Sequence, residues 1–206
     1  TSSGVIQRAV QKGEPVQIVF LTNGDYHGIQ EGITRQGEAV LSENLLGVPE
    51  DSLIFLGYPD GYLNTVYSNY VDVNEIFESP NGISATYAYR GLGQLDYHTY
   101  KYGTPADYNR ANIITDLENI ISSFQPDQII VIHEFDMHPD HATAYDLLYL
   151  AVSSVNSNNP GYLPVINSSI VHWNNVSPPW PNTFDPTSYF AELLELNPIT
   201  GLNWTD

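Results

Sequence analysis

The residues best equipped for chemistry fall in one short run, His133-Glu134-Phe135-Asp136-Met137-His138-Pro139-Asp140-His141. Neutral imidazole and carboxylate are the ligands that zinc and similar divalent ions take, and a catalytic site of that kind keeps one position open for water. A bound ion lowers the pKa of that water toward neutrality and so makes hydroxide available. His138-Pro139-Asp140-His141 is the centre of the run. An H-x-x-H spacing alone is a weak metal signal. Helix capping by Asp140 and ordinary hydrogen bonding of one histidine explain the same residues without a metal. Position is what favours a site. The run follows a continuous apolar, β-branched segment at residues 128–132 and precedes a helix-like segment at 141–154, with Pro139 stiffening the turn.

The elements that must hold such a loop can be read along the chain. Residues 3–12 have helical apolar spacing, with Val5, Ile6, Ala9 and Val10 on one face and Gly13 as a stop. Residues 15–21 form an apolar run suited to a strand buried on both faces, ending in the turn Thr22-Asn23-Gly24-Asp25. A helix over 34–46 is closed by Gly47, and a short buried strand over 52–56 leads into Gly57-Tyr58-Pro59-Asp60-Gly61. Residues 63–103 are rich in Tyr, Asn and Gly and lack a clear period. They read as a long excursion over the top of the domain, with short strands in it, and loops of that length are usually functional. The clearest helix spans 105–124, and a last strand spans 163–172. Strand alternating with helix, with apolar strands, predicts a doubly wound α/β layer fold. Ligands of such folds bind beyond the carboxyl ends of the strands, which is where each polar motif falls.

The length of 206 residues fits one compact domain over 1–206. Against 24 Asp and Glu stand only 6 Lys and Arg, a net charge of −18 that repels nucleic acid and anionic membranes. Solubility accounts for the acidity as well. No apolar run reaches the roughly 20 residues of a membrane helix. No leader is visible, since the opening residues already read as part of a domain. The absence of cysteine excludes disulfides, thiolate zinc sites and thiol catalysis. Sequons at Asn167, Asn175 and Asn203, together with the acidity, make a secreted glycoprotein the expectation for location.

Residues 125–148, QPDQIIVIHEFDMHPDHATAYDLL, resemble the PIG-L/LmbE-like deacetylases, which carry an HPDH-type motif between a buried strand and a helix. PVQIVFLTNGD resembles the family's second strand and its turn. TRQGEAVLSENLLGV resembles its Arg-x-x-Glu helix, and LIFLGYPDG resembles the segment ending in a substrate-facing Asp. The matches keep their order over roughly residues 1–175. The resemblance implies a Rossmann-like three-layer fold with a mainly parallel sheet. It also implies a Zn²⁺-dependent hydrolase (or one using another divalent metal) that removes the acetyl group from N-acetylglucosamine-type glycoconjugates. By the same resemblance His141 ligates the metal, and His138 and Asp140 are the catalytic pair. His138 steadies the oxyanion and passes a proton to the leaving amine, while Asp140 orients and tunes His138. Arg35 and Asp60 bind substrate.

One departure matters. The family's first motif, an HPDD-type run after the first strand, supplies a His and an Asp as ligands and a second Asp as general base, yet residues 1–24 contain no His and no Asp. The expectation is a domain lacking its first strand and that motif, completed by an N-terminal segment or a partner chain. The alternative is a sugar-binding relative without catalysis. Without the resemblance, Asp60 reads first as a turn residue and Arg35 as a solvated helix residue. Asp25 and His27 either line the pocket or close a turn. His172 reads first as a strand-end histidine bonded to backbone, or else reaches the site, and His133 reads as packed under the metal loop. Tyr26, Tyr58, Tyr62, Tyr97 and Tyr100 read first as ordinary surface and core tyrosines, and offer faces for sugars if they reach a cleft rim, with His98 in a candidate lid.

Overall fold

The computed structural model describes residues 3–88 and 95–172. In chain order the elements are α1 (Ser3–Gln11), β1 (Ile18–Thr22), α2 (Ile29–Leu45), a 3₁₀ turn (Glu50–Ser52), β2 (Leu53–Tyr58), α3 (Leu63–Asn69), α4 (Tyr97–Tyr102), α5 (Arg110–Phe124), β3 (Gln128–Ile132), α6 (Pro139–Asn158) and β4 (Val165–Ser169). The chain is thus mixed α/β, with β1 parallel to β2 and β3 parallel to β4. Among the described residues these are two separate pairs, not one continuous sheet.

That separation corrects one expectation. The apolar runs of β1 and β3 suggest strands buried on both faces, but only β2 is mostly buried; β1 is half-buried throughout and Ile130 of β3 is 40% exposed. Among the described residues β1 and β3 each have a single paired neighbour, so one edge of each is left uncovered.

Alternation along the strands sorts their side chains between two cores. Ile18 and Phe20 of β1 join Val48, Leu53 and Phe55 beneath Ile6 and Val10 of α1 and Ala39 and Val40 of α2, with Phe20 stacked on Phe55 at 4.6 Å. Val19 and Leu21 turn the other way. They meet the larger core of α5 and α6, against which Ile129, Val131 and Ile166 of the second pair also pack. Both strand pairs therefore lean on the same helices.

Helix α5 starts where the Asn109 side chain accepts from the backbone of Asn112, and it buries Ile113, Leu117, Ile120 and Ile121 on one face. Gln125 stops it in the left-handed region at φ 49°, and Pro126 prevents continuation. The excursion after β2 is less strand-like than its composition suggests. It holds α3 and α4, and pairs with residues 106–108 through bonds such as Thr86 to Ala106 and the antiparallel bridge Ala85–Asp107. Its anchor is buried. Tyr58 donates to Asp116 at 2.9 Å, and the His98 ring of α4 meets the other oxygen of Asp116 at 2.7 Å. Among the described residues no helix is long and apolar enough to cross a membrane. Asn167 is 5% exposed within β4, a poor position for a glycan on the folded chain; Asn175 and Asn203 lie outside the described residues.

Candidate metal centre and cleft

The loop from β3 to α6 is drawn tight by one carboxylate. Asp136, 5% exposed, accepts the backbone amide of His138 at one oxygen and those of Val171 and His172 at the other, at 3.0, 2.7 and 2.7 Å. It thereby ties the segment after β3 to the segment after β4. Burial by itself raises the pKa of this carboxyl. The amides of His172, His138 and Val171 and the His141 ring outweigh that and hold it down at about 2, so the group is an anion at neutral pH.

Two imidazoles converge on this anion. His141 Nδ1 lies 3.1 Å from Asp136 Oδ1, His172 Nδ1 lies 3.5 Å from the same oxygen, and the two ring nitrogens are 3.3 Å apart. With bonds of about 2.0–2.2 Å, neighbouring donors of a tetrahedral zinc site stand roughly 3.3–3.5 Å apart. The triangle has the size and the donor types that a divalent cation requires. Burial lowers the pKa of His141 against the pull of Asp136, which favours the neutral, ligating form. His172 is thus brought into the cluster, against its reading as a merely backbone-bonded histidine. Asp136 shares the run 133–141 with His141, but no sequence signal brings His172 to them, because that meeting depends on β3 and β4 running parallel and side by side.

His138 is the N-cap of α6 and Pro139 its first residue, so the helix begins two residues earlier than its apolar spacing suggests. The expected N-cap, Asp140, sits inside the first turn and does something else. Its carboxylate accepts the amides of Gly61 and Leu63 at 2.5 and 3.0 Å, pinning the loop after β2 onto α6. Desolvation raises its pKa, opposed by those two amides. No hydrogen bond joins Asp140 to His138, whose Nδ1 is buried without a partner among the described residues. The His138 ring stands 4.6 Å from that of His141 and 5.8 Å from that of His172.

Beside this cluster opens a cleft of about 350 Å³, to which His138 and Pro139 contribute one wall. Arg35, Asp60 and Gly61 contribute another, with Tyr26 and His27 at the mouth. The structure therefore brings together His138, Arg35 and Asp60, which the sequence places more than a hundred positions apart at the extremes. Gly24, at φ 70°, makes room for the aliphatic stem of Arg35; a Cβ there would collide with it. The Arg35 guanidinium is paired with Glu31, one turn away, at 2.6 Å. Asp60 accepts from Thr22 at 3.3 Å, and its backbone amide donates to Asp25 at 3.0 Å. Asp25 itself is 2% exposed and also accepts from Tyr87 at 2.8 Å, so it braces the loop, while His27 lines the cleft. His133 is buried under the loop, as read from sequence, with Nδ1 accepting the amide of Phe135 and Nε2 unpartnered among the described residues. Of the tyrosines, Tyr26 reaches the rim with Tyr62 behind it. Tyr58 is core, and His98 is held by Asp116 rather than facing the cleft.

An α/β chain with imidazoles and a carboxylate gathered at strand ends, next to an open polar cleft, offers a candidate metal centre. The sequence narrows this further: the chain matches the PIG-L family, GlcNAc-PI de-N-acetylase, over residues 1–152, and it belongs to that family of deacetylases. Asp136, His138, Asp140 and His141 lie inside the matched segment and His172 lies beyond it. Among solved structures it is similar to the conserved protein TT1542 from Thermus thermophilus. The identity is 20% and the TM-score 0.47, over 83% of this chain and 55% of that one. The chain thus spans little more than half the length of that protein. Among curated proteins none is similar enough to count as a relative.

Proposed function

We propose that this chain forms the metal-binding body of a hydrolase that removes the acetyl group from an N-acetylglucosamine-type glycoconjugate. The observation that carries the reading is the triangle of Asp136, His141 and His172 lying beside a cleft that contains His138, Arg35 and Asp60. The three donors fit Zn²⁺ or a similar ion, which when bound would polarise the amide and supply hydroxide. His138, at the junction of cluster and cleft, would hold the carbonyl oxygen and return a proton to the departing amine. Asp140 would act through the loop it pins, setting the distance between Asp60 and His138. Arg35 and Asp60 would bind sugar hydroxyls.

The reading includes a Rossmann-like three-layer arrangement with one more parallel strand between β1 and β3. The uncovered edges of those two strands and their shared helical core support it. That strand, from an N-terminal segment or a partner chain, would also bring the carboxylate base. The test is to measure zinc content and amine release from an N-acetylglucosaminide, with and without a chelator, for the wild-type chain, for the chain joined to such a segment, and for His141→Ala in both. Zinc-dependent release abolished by His141→Ala is expected. Release in neither form, or release indifferent to His141→Ala, would end the proposal.

A further inference from the structure

Tyr26 lines the cleft beside Asp60 and His138 and is 53% exposed. It is also held still. Its ring stacks on Tyr62, 5.8 Å away and inclined by 21°, and His27 packs edge-on at 5.1 Å. Tyr62 leans on Phe77 at 5.6 Å, and Phe77, 8% exposed, meets Tyr70 at 5.3 Å. A ladder of rings therefore runs from the core to the cleft and ends in the half-exposed ring of Tyr26. The ring also needs Gly61, at φ 79°, because a Cβ there would strike it. Gly61 is in turn fixed by its bond to Asp140. The loop that presents Asp60 and the Tyr26 ring packed against Gly61 are thus set by the same contacts.

We propose that Tyr26 is a specificity-determining residue. Its exposed face receives the C–H face of a pyranose ring whose hydroxyls meet Asp60 and Arg35. The inference rests on the carbohydrate reading of this cleft. A rigid aromatic face offers contact area at little entropic cost, and flat rings accept the apolar face of a sugar while its edge hydroxyls bond to carboxylate and guanidinium. Acyclic N-acetylated amides lack that face and gain nothing from it.

The experiment follows binding of methyl N-acetyl-β-glucosaminide by NMR titration and, separately, amine release, for the wild type, Tyr26→Phe, Tyr26→Leu and Tyr26→Ala. Tyr26→Phe should bind as the wild type does. Tyr26→Leu, which keeps apolar volume, and Tyr26→Ala should each weaken binding roughly 3- to 10-fold, the scale of one aromatic contact. Retention of wild-type affinity by Tyr26→Leu and Tyr26→Ala overturns the inference while leaving deacetylation standing. Loss of affinity in these variants in a chain that releases no amine supports the platform and removes the catalytic reading. Absence of any binding to the glucosaminide overturns both.

Discussion

His172 Nδ1 lies 3.3 Å from His141 Nδ1, although 31 positions separate the two residues. Two ring nitrogens at that distance, both within reach of the Asp136 carboxylate, repel unless something positive lies among them, a proton or a cation. At neutral pH burial favours the neutral form of His141, whose ring nitrogen can then share its proton within the cluster or ligate a cation in its place. The chain should bind one zinc ion. Asp136→Ala, His141→Ala and His172→Ala should each weaken that binding, by ~100-fold or more for removal of a direct ligand, since even the neighbours of ligands are worth about 10–100-fold. Metal analysis after dialysis, with calorimetric titration, measures it.

His138 should separate from this group. It faces the cleft but lies outside the three-donor triangle. His138→Ala is expected to keep zinc affinity within a few-fold while lowering kcat by about 10²–10⁴, the range of a lost proton-transfer or oxyanion contact. Parallel metal titrations and amine-release kinetics would show whether the two properties part.

Asp140 predicts a structural phenotype with a kinetic consequence. Its two amide bonds, to Gly61 and Leu63, are the link between α6 and the loop that carries Asp60. Asp140→Ala leaves those amides without an acceptor and should cost about 1–3 kcal/mol of stability. KM should rise as Asp60 drifts, and Asp140→Asn, which keeps one acceptor oxygen, should recover part of both. Urea unfolding and steady-state kinetics provide the two readings.

Asp116 predicts a pH dependence away from the cleft. Desolvation raises its pKa above the usual carboxylate value, against the lowering effect of His98 and Tyr58. The folded state then holds this proton more tightly than the unfolded state. Its contribution is therefore fullest below the unfolded value of about 3.9 and is lost as pH rises through the folded one. Asp116→Asn should flatten that part of the profile of stability against pH. Urea midpoints taken at steps from about pH 3.5 upward, just below that unfolded value, would reveal the change in slope. An unchanged slope would remove Asp116 as its cause.

Much of the framework is legible in the sequence because it is local. Helical spacing in 3–12, the Pro126 stop, and the run at 128–132 are governed by neighbours a few residues apart, and they correspond to α1, the end of α5 and β3. The composition of 63–103 suggests a long excursion with short strands in it, and among the described residues that segment carries α3, α4 and the single Ala85–Asp107 bridge. The order of that excursion comes from distant partners such as Ala106, Tyr108 and Asp116, which composition cannot announce. Local pattern likewise makes Asp140 the cap of α6. Its role is decided instead by the amides of Gly61 and Leu63, arriving from 77 to 79 positions away.

The sequence by itself determined the α/β class, the family, and the placement of His138, Asp140 and His141 at a strand-to-helix turn. The class and the placement follow from periodicity and from residues adjacent in the chain, and the family from the resemblance of motifs kept in order along it. Only the tertiary structure decided that His172 completes a donor triangle with Asp136 and His141, and that Tyr26 lines one cleft with Asp60 and His138. Those meetings depend on which strands lie parallel and which loop docks on which helix. Such contacts, closed over tens of residues, leave no period in the sequence because the loop entropy they overcome is offset by packing elsewhere in the fold.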